Sequence, residues 1–226
     1  MTPNRRTFLF STVGALSAGL LPLAAPAANE KAPMPANAAL KNLLDGNARF
    51  VAGTPQSRPS VNRVIQLASG QAPFATVLAC ADSRVPVETL FDHEPGDIFV
   101  VRIAGNFVSD AALGSIEYAT AVLKSPLVMV LGHTSCGAVN AAIELVRSGT
   151  TFPGHIQGIA EAIAPAARES RHEAGDWSHN AVVANVRLAA GTLKTSKPIM
   201  AEAIQHHAVE VVGGIFDLKT GKVTLV

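Results

Sequence analysis

Two short apolar runs limit the architectures open to this chain. Phe74-Ala75-Thr76-Val77-Leu78-Ala79 and Leu127-Val128-Met129-Val130-Leu131 are too short for helices of their own and carry β-branched residues. Both therefore read as buried strands. A third run, Ile98-Phe99-Val100-Val101-Arg102-Ile103-Ala104, is closed by Gly105-Asn106. Helical composition alternates with these strands over residues 39–51, 61–68, 85–91, 109–124, 137–147 and 180–193. The stretch 156–170 is also helical but is interrupted by Pro165. Ser109 or Asp110 is a suitable cap for the 109–124 helix. Residues 209–217 and 222–226, joined around Thr220-Gly221, form a terminal hairpin. The expected fold is α/β, with a mainly parallel β-sheet flanked by helices and an antiparallel edge strand.

The two runs also deliver chemistry. The first ends in Cys80-Ala81-Asp82-Ser83-Arg84 and the second in Gly132-His133-Thr134-Ser135-Cys136-Gly137. Strand ends are where ligand sites collect in open α/β sheets. Two thiols and an imidazole make a soft nitrogen–sulfur set that suits Zn2+. These are the only two cysteines of the chain, so the alternative is a structural disulfide between them. His133 and Asp82 stand beside the thiols, and a disulfide has no use for either.

The chain begins with a different kind of signal. Asn4-Arg5-Arg6-Thr7-Phe8-Leu9 is a twin-arginine pattern, followed by a moderately apolar run to Ala24 and the small residues Ala25-Pro26-Ala27. Residues 1–27 thus read as a cleaved twin-arginine signal peptide rather than an anchor, which places the mature protein in the periplasm. Residues 28–38 form a short leader and 39–226 a single domain. Cleavage removes two arginines and no acid, moving the formal charge from +1 to −1. A balance so close to neutral points to neither nucleic acid nor an anionic membrane surface as partner.

The two signatures, in this order, resemble those of the β-class carbonic anhydrases. The resemblance extends to Pro95-Gly96-Asp97-Ile98-Phe99-Val100-Val101-Arg102, Ile116-Glu117-Tyr118-Ala119 and residues 212–221. It implies an α/β domain assembled as a homodimer or homotetramer, with zinc held by Cys80, His133 and Cys136. It also implies reversible hydration of carbon dioxide to bicarbonate and a proton, through a hydroxide on the zinc. Asp82 and Arg84 match a catalytic carboxylate–guanidinium pair; in a closed form Asp82 itself takes the fourth zinc position. Gln71 matches a pocket glutamine reaching across the dimer interface. Phe99 and Tyr118 match aromatic pocket residues, and the Gly137 amide lies where a substrate oxygen is contacted. Ala104 stands where a bulkier valine is common, and Phe216 where a tyrosine often stands, the latter a packing difference. Arg102 is expected to be an ion-pair partner, and His93, His155, His172 and His179 solvated loop residues. No proton shuttle is assigned. Hydrolysis of carbonyl sulfide or carbon disulfide on the same fold, and a non-catalytic protein with a closed zinc site, are the alternatives.

Overall fold

The computed structural model describes residues 34–226; the expected signal peptide and cleavage site, and most of the expected leader, lie outside them. Five strands form one sheet in the order β2-β1-β3-β4-β5. They are β1 (Ala75–Ala79), β2 (Ile98–Arg102), β3 (Leu127–His133), β4 (Glu210–Phe216) and β5 (Val223–Leu225). The first four run parallel and β5 closes the edge antiparallel to β4.

Every residue of β1 and β3 is buried, as expected for central parallel strands covered on both faces. Their alternation divides the core. Leu78, Cys80, Val128 and Val130 face a layer of helices α4 (Asp110–Ala121), α5 (Gly137–Ser148), α6 (Ile156–Glu169) and α7 (Trp177–Thr195). Ala75, Val77, Ala79, Leu127, Met129 and Leu131 face α1 (Ala36–Val51) and the single turn α3 (Val87–Leu90). A short helix, α2 (Val61–Gln66), buries none of its residues.

α1 begins at Ala36, three residues before the domain boundary expected from sequence. Ser109 caps α4 by accepting from the Ala112 amide. α6 runs unbroken through Pro165. A proline inside a helix costs about 3 kcal/mol, but Ile163, Ala164, Ala166 and Ala167 around it are all buried, and that packing holds the helix together. The sequence pattern did not mark α8 (Ile199–Gln205), which buries only Met200. α7 lies unusually close to the sheet. A Cβ on Gly132 would stand 2.6 Å from a Val186 methyl, and one on Gly213 2.8 Å from the other.

The segment between α1 and β1 is tied down by charge. Asp92, fully buried at its side chain, accepts from Arg49 Nε at 2.5 Å and from the Gln56 and Ser57 amides. Arg63 of α2 reaches Asp97 at 3.1 Å. His93 departs from the expected solvated position. It is buried edge-on to Phe74, 4.8 Å between ring centroids, with Nδ1 3.7 Å from Asp97. An aromatic face and a carboxylate next to one another suit its ring better than water does.

Burial opposes the ionisation of Asp92, but the Gln56 and Ser57 amides and the Arg49 guanidinium outweigh it and hold the carboxyl well below its usual range. Asp92→Asn should therefore lose about 2 kcal/mol of folding stability at pH 7. A carboxyl depressed in the folded state contributes fully above the ordinary value near 3.9 and progressively less below it. The gap between variant and wild type should thus narrow as pH falls below about 4. Denaturant titrations at pH 7 and pH 3 measure both gaps, and equal values would contradict the assignment.

Candidate metal centre

Parallel pairing places the two signatures next to each other. Ala79 of β1 is in register with Leu131 of β3 on one side and Arg102 of β2 on the other. Cys80 is the first residue beyond β1, and His133 is the last of β3. Thr134 and Ser135 then turn the chain, Ser135 in the left-handed region at φ 57°, and Cys136 becomes the N-cap of α5. The thiol thus sits at the positive end of a helix, where a thiolate is favoured.

Cys80, His133 and Cys136 are all buried, and one ligand atom from each lies within 4.8 Å of the others. Both cysteines are free, with their sulfurs 4.0 Å apart. A disulfide requires about 2.05 Å, whereas two sulfurs on one tetrahedral zinc stand about 3.8 Å apart. The His133 Nδ1 is 2.9 Å from the Thr134 carbonyl, which accepts a hydrogen bond from Nδ1–H and so leaves Nε2 as the bare acceptor. That Nε2 is buried without a hydrogen-bond partner. A buried acceptor left bare costs about 1–3 kcal/mol; a cation beside it removes the cost.

The charge balance points the same way. The Cys136 thiol, followed by His133 and the Gly105 amide, draws Cys80 below the ordinary thiol range against its burial. Cys136 is pushed up by sharing its proton with Cys80 and by burial. His133 is raised because contacts with the Cys80 sulfur and Asp82 overcome burial, which acts in the opposite sense. Two sulfurs at this spacing oppose each other's ionisation, and a cation between them would relieve that opposition. The donor set fits zinc in number, softness and spacing.

Asp82 stands at the rim, with Oδ2 3.8 Å from His133 Nε2. Arg84 grips it with two parallel hydrogen bonds, Nε to Oδ1 at 2.9 Å and a terminal nitrogen to Oδ2 at 2.7 Å. The guanidinium holds the Asp82 carboxyl well below the usual carboxylate range. The Arg84 side chain is 55% exposed and the Asp82 side chain 17%, so the pair lies between buried sulfur and water.

Arg102 differs from its expected role. It pairs with no carboxylate among the described residues; its guanidinium donates to the carbonyls of Cys80 and Asp82, at 3.1 and 2.6 Å. β2 thereby clamps the loop that carries both residues. The strand-end carbonyls had no local partner, and sequence alone could not show that an arginine one strand away would supply it. Gly105 was likewise missed. Its amide donates to the Cys80 sulfur at 3.2 Å, although its pattern marked only the end of a strand.

Ala104 immediately precedes Gly105 beyond β2, and Gly137 opens α5 with an exposed backbone, so both belong to the same end of the sheet. Phe216 pairs in register with His133 and is buried. Gln71, Phe99 and Tyr118 are not brought to the cysteines. Phe99 is in register with Thr76 at the start of β1, and its ring lies 6.4 Å from that of Tyr118. Gln71 is exposed ahead of β1. Four residues of strand, about 13 Å, separate Thr76, the partner of Phe99, from Cys80 within one chain.

Comparison with known proteins agrees with this geometry. The carbonic anhydrase family model matches residues 75–223. The chain is 41% identical over 189 residues to carbonic anhydrase 2 of Mycobacterium tuberculosis, covering 83% of this chain and 91% of that protein. It is 40% identical over 189 residues to a carbonic anhydrase of Mycolicibacterium smegmatis, covering 83% and 92%. Among solved structures, a tetrameric β-carbonic anhydrase of Sordaria macrospora superposes with a TM-score of 0.65 at 29% identity, over 72% of this chain and 85% of that one. The Coccomyxa β-carbonic anhydrase, solved with acetazolamide, gives 0.65 at 27%, over 83% and 86%. By sequence, fold and the placement of its two signatures, this chain belongs to the β-carbonic anhydrases, enzymes of reversible carbon dioxide hydration.

Proposed function

We propose that this carbonic anhydrase works with one zinc ion held by Cys80, His133 and Cys136, with Asp82, aimed by Arg84, as its catalytic carboxylate. The observation that carries the reading is the convergence of three buried soft donors within 4.8 Å, beside a carboxylate held by a guanidinium. When bound, zinc supplies a Lewis acid that brings the ionisation of water from about 15.7 to about 7.

The residues of the chain provide the rest. Because Arg84 keeps it ionised, Asp82 is an acceptor throughout the neutral range. It accepts the O–H of the attacking water and thereby turns a lone pair toward the substrate carbon. Arg102 fixes the carbonyls on either side of Ala81, so the carboxylate and the Cys80 thiol keep their spacing. Carbon dioxide offers little to hydrogen-bond, and Ala104 gives its approach an apolar wall. The Gly137 amide, free at the start of α5, suits a developing substrate oxygen. The two-pronged grip of Arg84 favours this open arrangement over a closed site in which Asp82 is a permanent ligand.

A homodimer or homotetramer completes the pocket. α2 exposes Val61 at 71%, Val64 at 55% and Ile65 at 64%, an apolar face that water does not favour. A second copy covering this arm and the β2 edge would bring Gln71, Phe99 and Tyr118 to the centre that one chain leaves without them. The tetrameric Sordaria relative supports such an assembly. The twin-arginine pattern supports export to the periplasm with cleavage near Ala27. No described helix is long and apolar enough to cross a membrane.

Substituting Cys80, His133 or Cys136 by Ala should remove most zinc, measured by metal analysis, and essentially all carbon dioxide hydration. A variant that retained full metal and full rate would unseat that ligand. Arg84→Ala should leave zinc near stoichiometric but lower turnover about 10²–10³-fold. Without its partner, Asp82 is free to turn toward the donors 3.8 Å away; near-normal turnover would exclude this role. Replacing Arg5 and Arg6 by Lys should leave an uncleaved, zinc-loaded precursor in the cytoplasm. Normal processing in cells lacking the twin-arginine machinery would point to another export route.

A further inference from the structure

One polar side chain in the main core has no evident reason to be there. Asn185 lies on α7 between Ala184 and Val186, 1% exposed, among residues that are otherwise aliphatic. Burying an amide costs about 1–3 kcal/mol unless its hydrogen bonds are made, and the Asn185 Oδ1 has no partner. Its Nδ2 makes a single contact, donating to the Gly105 carbonyl at 2.8 Å, across 80 residues of sequence.

Gly105 is the residue whose own N–H donates to the Cys80 sulfur at 3.2 Å. Its backbone sits at φ +79°, where L side chains are strained, and a Cβ there would come within 2.3 Å of the Ile163 Cδ1, so the position favours glycine. The turn is held from the sheet side by Ile103, whose amide and carbonyl bond to Ala79 and Ala81. From the helix side the Asn185 amide is its hydrogen-bond anchor. The two peptide groups flanking Gly105 Cα thus face two different tasks, the carbonyl toward α7 and the amide toward a thiol.

We infer that Asn185 is a positioning residue for the metal centre: by fixing the Gly105 carbonyl it aims the Gly105 N–H at the Cys80 sulfur. An N–H bond to a thiolate withdraws charge from the sulfur and sets its orientation. Outer partners of this kind are commonly worth 10–100-fold in metal affinity. An apolar residue at 185 would pack as well but leave the turn without its anchor. The inference rests on the zinc reading above, and it concerns how well the site holds the metal rather than which residues touch it.

The test uses zinc-loaded mature protein in chelator competition, with thermal unfolding of the same samples and the spectrum of the cobalt-substituted form. Asn185→Leu should raise the zinc dissociation constant about tenfold or more and shift the thiolate-to-cobalt charge-transfer band. Leu193→Ala, a core truncation on the same helix away from Gly105, should lower the unfolding midpoint yet change the zinc constant less than twofold. If Asn185→Leu does not fold, Asn185→Ser, one atom short of the carbonyl, is read by the same criteria. Unchanged zinc affinity and cobalt band in the Asn185 variant would overturn the inference. So would affinity losses that simply follow thermal stability in both variants. Failure of the wild type to bind zinc would instead defeat the zinc reading.

Discussion

Everything at the active end of this enzyme depends on the parallel pairing of β1 with β3. The ladder from Thr76↔Val128 to Ala79↔Leu131 fixes where both strands stop, and therefore where Cys80 and His133 stand relative to each other. Because the side-chain period of a strand is two, a slip of one residue would turn Cys80 away from the face that carries Val128, Val130 and Cys136. Such a slip would also exchange the residues presented to the two helical layers. With both faces of β1 fully buried, the same packing that stabilises the sheet protects the geometry of the donors.

Above that dry floor the electrostatics change character. The sulfurs and the His133 ring are fully enclosed, so their interactions are strong and their protons interdependent. Arg84 sits half in water and Asp82 only partly so, at a rim where an ion pair adds little to stability. The value of their contact is directional, since two parallel bonds fix the plane and tilt of the carboxylate. Stability and orientation are thus supplied by different residues, and a substitution at the rim can disturb chemistry without disturbing the fold.

The strands, the main helices and the meeting of Cys80, His133 and Cys136 were legible because each has a local signal: apolar runs of strand length, periodic apolar spacing, and thiol–imidazole signatures at strand ends. What escaped the sequence is what depends on distant partners. Arg102 looked like half of an ion pair, but its partners are carbonyls on the neighbouring strand. His93 looked like a loop histidine until Phe74 and Asp97 were found against it. Asn185 has no local pattern at all; only a carbonyl 80 residues away gives it a purpose. α8 is short and buries a single side chain, too little to impose a clear apolar period. Phe99 and Tyr118 were identified by likeness to known anhydrases, and no periodicity could tell at which end of the sheet they would lie.

The separation of the donors along the chain bears on how the enzyme matures. Cys80 and Cys136 stand 56 residues apart and meet only after β1 and β3 have paired. In the unfolded chain, gathering them would mean closing a long loop at an entropic cost that one ion must bear alone. Small zinc modules fold around their metal because nothing else holds the donors. Here two core layers, a helix terminus and a backbone amide already hold them. On the proposed zinc reading, metal uptake would therefore be a late event in the life of this chain, made by an almost finished protein. The apoenzyme should persist as a compact species awaiting its ion, so the timing of metal delivery, rather than folding itself, governs when activity begins.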